Sequence, residues 1–314
     1  MQDLYNPPAG IRNPHVQTML SSVVRKQLLK HQHSKFLTAT QSEMIQVNGV
    51  QLKVERTTHP DAPTIVIIPG WLGSASSSYV LSAAAHLWQA GFSVARLNLR
   101  DHGGTAHINE GLFHSALIDE VFSAVKSLAK PHPEQSGLLG FSLGGNFALR
   151  AARALTELPT LAVAPVIKPG ETMVSIDQNF IYQRYFINKW RRVWQEKQQA
   201  FPHRYDFRAA LNISTVSALT DYFVSYHTDF TSTAAYFDAY DLSADTLAGV
   251  SAKVVVAADD PIIPLAHFAD LPESLDIETT QYGGHTAYLK NWQFESWLDD
   301  YACKFFTERL TLDS

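Results

Sequence analysis

From residue 64 onward the chain alternates short apolar runs with helix-patterned stretches, and no other feature restricts the fold as strongly. Thr64-Ile65-Val66-Ile67-Ile68 is continuous and mostly β-branched, the pattern of a strand buried on both faces of a parallel sheet. A helical pattern follows over 77–90, a strand over 92–98, a helix over 115–130, a strand over 137–140, a helix over 144–156 and a strand over 161–164. Such strand–helix repetition predicts an α/β fold with a mostly parallel central sheet flanked by helices. Ahead of it, residues 44–57 read as two strands joined at Asn48-Gly49, a tight hairpin turn. The alternation stops near Pro165. Residues 168–245 carry Tyr182, Tyr185, Phe186, Trp190, Trp194, Tyr222 and Phe223 among other aromatics without a strand pattern, and read as a mainly helical insertion. Strands are then expected at 253–258 and 276–280, and helices at 264–271 and 291–310. The expected organisation is an N-terminal extension (1–40) packed on the core, a core of 41–167 and 246–314, and a helical cap over 168–245.

Composition narrows the function classes. The chain has 314 residues, 46% of them hydrophobic and 18% charged, enough to bury a sizeable core. The formal net charge of −5 disfavours nucleic acid as a partner, because phosphate binding needs a basic face. The single cysteine, Cys303, allows no internal disulfide. The first residues lack the basic start and apolar segment of a secretory signal, so a cytoplasmic location is expected. No apolar run approaches the roughly 18 residues of a spanning helix, so no transmembrane segment is expected. Val16, Leu20, Val23, Val24 and Leu28 recur near helical spacing, with Arg25, Lys26 and Lys30 around them. A helix packed on the domain is the favoured reading, and weak membrane-surface association is the other.

Chemistry concentrates at Gly140-Phe141-Ser142-Leu143-Gly144-Gly145, which fits the Gly-x-Ser-x-Gly nucleophile elbow. The spacing has a physical reason. The serine sits on a sharp strand-to-helix turn, and small residues two before and two after it let strand and helix approach. Chance alone gives such a pattern in roughly one chain of this length in ten. Placement adds weight, since Leu138-Leu139 end a strand and a helix-forming stretch begins at Asn146. A hydrolase elbow also demands the chain order serine, acid, histidine. Asp259-Asp260-Pro261 follows the strand at 253–258 and supplies two acids. Asp260 is favoured as the one directly before proline, Asp259 is the alternative, and the acid left over is expected to cap the following turn. Of 13 histidines, His285 in Tyr282-Gly283-Gly284-His285-Thr286 stands where a general base should, before the last helix. The oxyanion hole is expected from the backbone N–H groups of Leu143 and of Trp71 in Ile68-Pro69-Gly70-Trp71-Leu72-Gly73. Asp101, His102, His107 and His114 cluster in sequence, but their spacing matches no standard metal set, so no metal and no organic cofactor are expected. His31 and His33 read as solvated.

These residues resemble the YheT-like branch of the α/β-hydrolases, which includes medium-chain fatty-acid ester synthase/esterases and their abhydrolase-domain relatives. Asn13-Pro14-His15-Val16-Gln17-Thr18 is similar to that family's N-terminal motif. Leu97-Asn98-Leu99-Arg100 with His114-Ser115 is similar to its Arg-Gly and Tyr-His-Ser region, and the elbow through Asn146 matches almost letter for letter. Two positions depart from it: Pro69-Gly70 stands where the family has His-Gly, and Arg100-Asp101 where it has Arg-Gly. The resemblance implies an α/β-hydrolase fold, a triad of Ser142, Asp260 and His285, and turnover of carboxylic esters with short or medium acyl chains, with acyl transfer in some members.

The residues thus lead to a serine esterase acting on a small acyl ester through an acyl-enzyme. Acyl transfer, thioester or peptide cleavage with the same triad, and a non-catalytic binding protein on the same scaffold, are the alternatives.

Overall fold

The computed structural model describes residues 5–129 and 133–310. Residues 1–4, 130–132 and 311–314, which fall in the expected extension, the expected core and the end of the helix expected over 115–130, lie outside the described residues.

Eight strands form one sheet: β1 Gln41–Val47, β2 Val50–Thr57, β3 Thr64–Ile68, β4 Ser93–Leu97, β5 Ser136–Phe141, β6 Thr160–Val163, β7 Ala252–Ala257 and β8 Leu275–Thr280. Their order is β1-β2-β4-β3-β5-β6-β7-β8. β1 and β2 are an antiparallel hairpin, and β2 also runs antiparallel to β4. All later pairings are parallel. The hairpin turns on Asn48 (φ 46°) and Gly49 (φ 80°), both in the left-handed region that the two-residue turn requires.

The helices are α1 Pro14–Met19, α2 Arg25–Gln32, α3 Ser34–Ala39, α4 Ser78–Gln89, α5 Ile118–Ala129, α6 Leu143–Ala152, α7 Pro169–Gln178, α8 Phe180–Ala200, α9 Val216–His227, α10 Thr233–Asp238 and α11 Trp297–Thr307. Side-chain alternation along β3 builds a layer on each face of the sheet. Ile65 and Ile67 pack with residues of α4 and α11, while Val66 and Ile68 pack with residues of α5 and α6. Both faces are therefore covered, which is why this strand reads as an unbroken apolar run.

The segment between β6 and β7 holds α7 to α10 and, among the described residues, no strand. Many of its aromatics serve its own core. Trp194 lies 4.8 Å from Phe207 in a stacked pair and 4.8 Å from Trp190. This cluster runs continuously into the α5/α6 side of the sheet.

Several elements differ from the expected bounds, among them α6, which ends at Ala152 instead of 156. The helix expected at 264–271 is a single 3-10 turn, Leu265–Phe268, because Pro264 begins the stretch and Pro272 bars Leu271 from helical backbone. The last helix begins at Trp297 instead of 291. Asn291 accepts from the Gln293 and Glu295 N–H groups, and Phe294 sits at φ 60°, so the preceding residues form a closed loop. The helix expected from 115, α5, starts at Ile118 after a turn at 114–118.

The N-terminal residues pack on the body through α2 and α4. Arg25 belongs to no solvated face. It is buried against Asp299 of α11 at 2.8 Å, and Asp299 also accepts from Ser82 of α4. The side chains of Val23, Val24, Lys26 and Lys30, on which the membrane-surface reading drew, lie outside the described residues. His33 was expected in solvent but is buried edge-on to His86 at 5.4 Å, because it sits in the tight junction of α2 and α3. His31 is exposed. Among the described residues no helix is long and apolar enough to cross a membrane.

Removing one member of a buried ion pair leaves the other charge uncompensated. Arg25→Ala is expected to cost about 3–5 kcal/mol in urea unfolding, whereas Arg25→Met combined with Asp299→Leu costs much less.

Candidate active site

Ser142 occupies the junction of β5 and α6 with φ 53° and ψ −117°. A non-glycine residue in this region carries strain on the order of 1–3 kcal/mol and persists only where its surroundings impose it. The surroundings here are backbone. The Ser142 N–H donates to the Val163 carbonyl at 2.8 Å, and the Ser142 carbonyl accepts from Asn146 N–H at 3.0 Å. A Cβ on Gly140 would lie 2.2 Å from the Gly144 carbonyl oxygen, and one on Gly144 would lie 2.2 Å from that of Ile68. Both glycines are therefore dictated by the approach of α6 to β5 and β3. Ser142 itself lines a cavity.

Asp260 follows β7, and His285 follows β8. His285 Nδ1 lies 2.9 Å from Asp260 Oδ2. The other oxygen, Asp260 Oδ1, accepts from the N–H groups of Ile262 (2.8 Å) and Ile263 (3.0 Å). The capping task expected of the second acid thus also falls to Asp260. Asp259 instead accepts from the Gly284 N–H at 2.9 Å and pins the histidine loop from beneath. Burial raises the Asp259 carboxyl above the usual range, and the neighbouring Asp260 charge adds to this. The histidine loop is tightly bent, with Gly284 at φ 53°, Thr286 at φ 61° and Tyr288 at φ 46°.

Ser142 and His285 line the same cavity of about 390 Å³, with Gly70, Trp71 and Leu143 beside them. Among the described residues no hydrogen bond joins Ser142 to His285; the structure brings acid and histidine into contact and places serine and histidine around one space. Most of the remaining wall is apolar: Met19, Val166, Ile176, Ile181, Tyr182, Phe186 and Ile262. Lys189 also lines it, but its ammonium is engaged with the Leu72 carbonyl at 3.0 Å.

The loop of the expected oxyanion donor is held on all sides. Gly70 N–H donates to Tyr79 Oη at 3.0 Å, and a Cβ on Gly70 would sit 3.1 Å from Ser142 Cβ. Leu72, at φ 55°, donates its N–H to His102 Nε2 at 2.9 Å. The Trp71 ring stacks on Phe186 at 5.3 Å and meets Trp190 edge-on at 5.0 Å, both on α8. The Trp71 and Leu143 N–H groups find no acceptor among the described residues.

Sequence reading assigned no task to His102, Tyr79, Lys189 or Thr18. The Asp101–His114 cluster is dispersed into separate roles. Asp101 pairs with buried Lys197 of α8 at 2.7 Å, and its Oδ2 accepts from the Phe113 N–H at 2.8 Å. The residue that departs from the Arg-Gly pattern therefore ties the sheet to α8. His114 meets Phe230 edge-on at 5.8 Å. Among the described residues no three His, Cys, Asp or Glu side chains could hold a metal together.

Residues 65–302 match the alpha/beta hydrolase family. The fold is similar to that of an esterase from Pyrococcus furiosus, with a TM-score of 0.58 at 14% identity over 86% of this chain and 90% of that one. It is similar to a serine hydrolase from the polyaromatic-hydrocarbon-degrading bacterium Cycloclasticus zankles, with a TM-score of 0.57 at 16% identity over 86% and 97%. A Xanthomonas campestris serine hydrolase without a lid gives 0.52 at 16% identity over 88% and 98%. At such identities the likeness concerns the fold alone. No curated protein matches the chain.

His102 is buried, and desolvation lowers its pKa from 6.5 to about 4, so the ring is neutral at pH 7. Because Nε2 accepts from Leu72, the proton resides on Nδ1, which donates to the Arg100 carbonyl at 2.7 Å. Burial likewise lowers His33 and His114 to about 4. Between about 4 and 6.5 the unfolded chain binds more protons at these rings than the folded one. Their contribution to stability is complete above 6.5 and is lost as the pH falls towards 4. The urea midpoint is expected to drop through this window, and His102→Gln, less stable at pH 7, should show a shallower drop.

Proposed function

The chain belongs to the alpha/beta hydrolase family, and from that premise we propose that it is a serine esterase that cleaves uncharged carboxylic esters of small to medium acyl or aryl groups. One observation carries the reading. Ser142 and His285 border one apolar cavity, and the far nitrogen of His285 is engaged by a carboxylate whose other oxygen is fixed by two backbone donors.

Asp260 can only accept, so His285 Nδ1 donates and the Nε2 lone pair is left for the serine. In the forward step Ser142 Oγ attacks the ester carbonyl carbon, and its proton passes to His285 Nε2. The ring must close on the hydroxyl when substrate enters, a tightening expected of ligand-free sites. The carbonyl oxygen becomes an oxyanion, received by the N–H groups of Leu143 and Trp71. Leu143 is the first residue of α6, where the helix dipole also favours negative charge. The tetrahedral species collapses, the alcohol departs with the proton from Nε2, and the acyl group stays on Ser142. Water, giving a proton to His285 Nε2, then attacks the acyl carbon; the bond to Ser142 Oγ breaks, the acid leaves and the proton returns to Oγ.

The helical segment over α7 to α10 acts as the cap. It supplies Ile176, Ile181 and Phe186 to the acyl side of the cavity, and the one ammonium there is already committed to Leu72. That wall suits a neutral acyl group. The volume of about 390 Å³ lies at the small end of ligand sites, which supports a compact substrate. Within the family we place the chain in the YheT-like branch, on the N-terminal, elbow, acid and base motifs together.

With a panel of p-nitrophenyl esters, Ser142→Ala should lower kcat by about 10⁴-fold or more. Equal turnover by both proteins would overturn the reading. Asp260→Asn should cost about 10³- to 10⁴-fold and Asp259→Asn far less.

A further inference from the structure

Helix α1 reaches the site from outside the family-matched region, which begins at residue 65. Its helix start is set by Asn13, whose side chain accepts from the His15 and Val16 N–H groups, with Pro14 as first helical residue. One turn later Thr18 Oγ1 donates to the Pro14 carbonyl at 2.8 Å and accepts from the backbone N–H of His285 at 3.0 Å. The hydroxyl is thus oriented by its own helix, with a lone pair aimed at the histidine. Gln17, fully buried, accepts from the Leu289 N–H at 3.0 Å and from Tyr5 Oη at 2.9 Å, and so fixes the far end of the same loop.

Gly284 records how close this contact is. A Cβ there would lie 2.7 Å from both the Pro14 carbonyl oxygen and Thr18 Oγ1. The second glycine before His285 is therefore required by α1 as well as by its φ of +53°. On its other side α1 is tied to α8, where His15 Nδ1 lies 2.9 Å from Tyr182 Oη. Thr18 and Met19 also line the cavity.

We propose that the Asn13–Thr18 motif is a clasp on the base, with Thr18 as a positioning residue that fixes the backbone of His285. The inference rests on the esterase reading above. Three backbone and side-chain bonds then define the histidine. Asp259 holds Gly284 N–H, Thr18 holds His285 N–H and Asp260 holds Nδ1. Freeing the middle one lets the ring swing while the carboxylate contact persists. Misplacing a general base slows chemistry more than it weakens substrate binding.

The test compares Thr18→Val, which keeps the shape and removes the acceptor, with Thr18→Ser, which keeps the acceptor. On a p-nitrophenyl ester, Thr18→Val should lower kcat about tenfold with KM changed less than about twofold, and Thr18→Ser should restore most of the rate. Wild-type kcat in Thr18→Val, a loss confined to KM, or no rescue by serine would overturn the proposal. A second readout uses the unaltered chain and needs no variant to fold. The His285 amide should be protected from deuterium exchange, and exchange at the rate of a free loop amide would overturn the proposal. Ser142→Ala separates the two levels. If it stays active, the esterase reading fails; if it is dead while Thr18→Val runs at full rate, only the clasp fails.

Discussion

The site depends on the collision-free crossing of three backbones at Gly140, Gly144 and Ile68. A methyl group at either glycine would come within 2.2 Å of a carbonyl oxygen, so the chain can make the β5-to-α6 turn only with glycine at both positions. At that crossing Ser142 sits at φ 53°, and its side chain makes no capping hydrogen bond among the described residues. The strain is borne by the buried layers on both faces of the sheet. The same turn holds the Ser142 side chain off the end of a parallel strand, at a helix N-terminus, where the dipole favours negative charge close by.

Around this fixed point the other elements are positioned indirectly. The Trp71 loop is built from contacts to three different places: Tyr79 on α4, His102 after β4, and α8 through Lys189 and its aromatics. The Asp101–Lys197 pair anchors the same helix a few turns further on. α8 is therefore mechanically joined to the loop beside the serine, and the apolar wall it supplies cannot shift without disturbing Trp71. The histidine loop is held similarly from two sides, by Asp259 and Asp260 after β7 and by Thr18 on α1.

Local patterns made much of this legible in the sequence. The Thr64–Ile68 run reads as a strand because both of its faces are covered, and Asn48-Gly49 reads as a hairpin because both residues take positive φ. The elbow is visible because a steric demand acts over four residues. What stayed hidden acts over long separations or through competing local bonds. Thr18 and His285 are 267 positions apart, and nothing near Thr18 announces the contact. His102 has no task legible in the sequence, because its two nitrogens serve a loop 30 residues away and its own chain. His33 looked solvated because polar neighbours surround it in sequence, whereas a helix junction buries it. The last helix reads as longer than it is because Asn291 and Phe294 close a loop that composition alone does not distinguish from helix.

The central claim is a covalent acyl group on Ser142, and trapping it is the most direct test. Rapid mixing with a p-nitrophenyl ester, acid quench and peptide mass mapping should show a burst of p-nitrophenol close to one per chain. The acyl mass should fall on the peptide that carries Ser142. A linear release of product with no adduct on that peptide, or an adduct on another residue, would contradict the account.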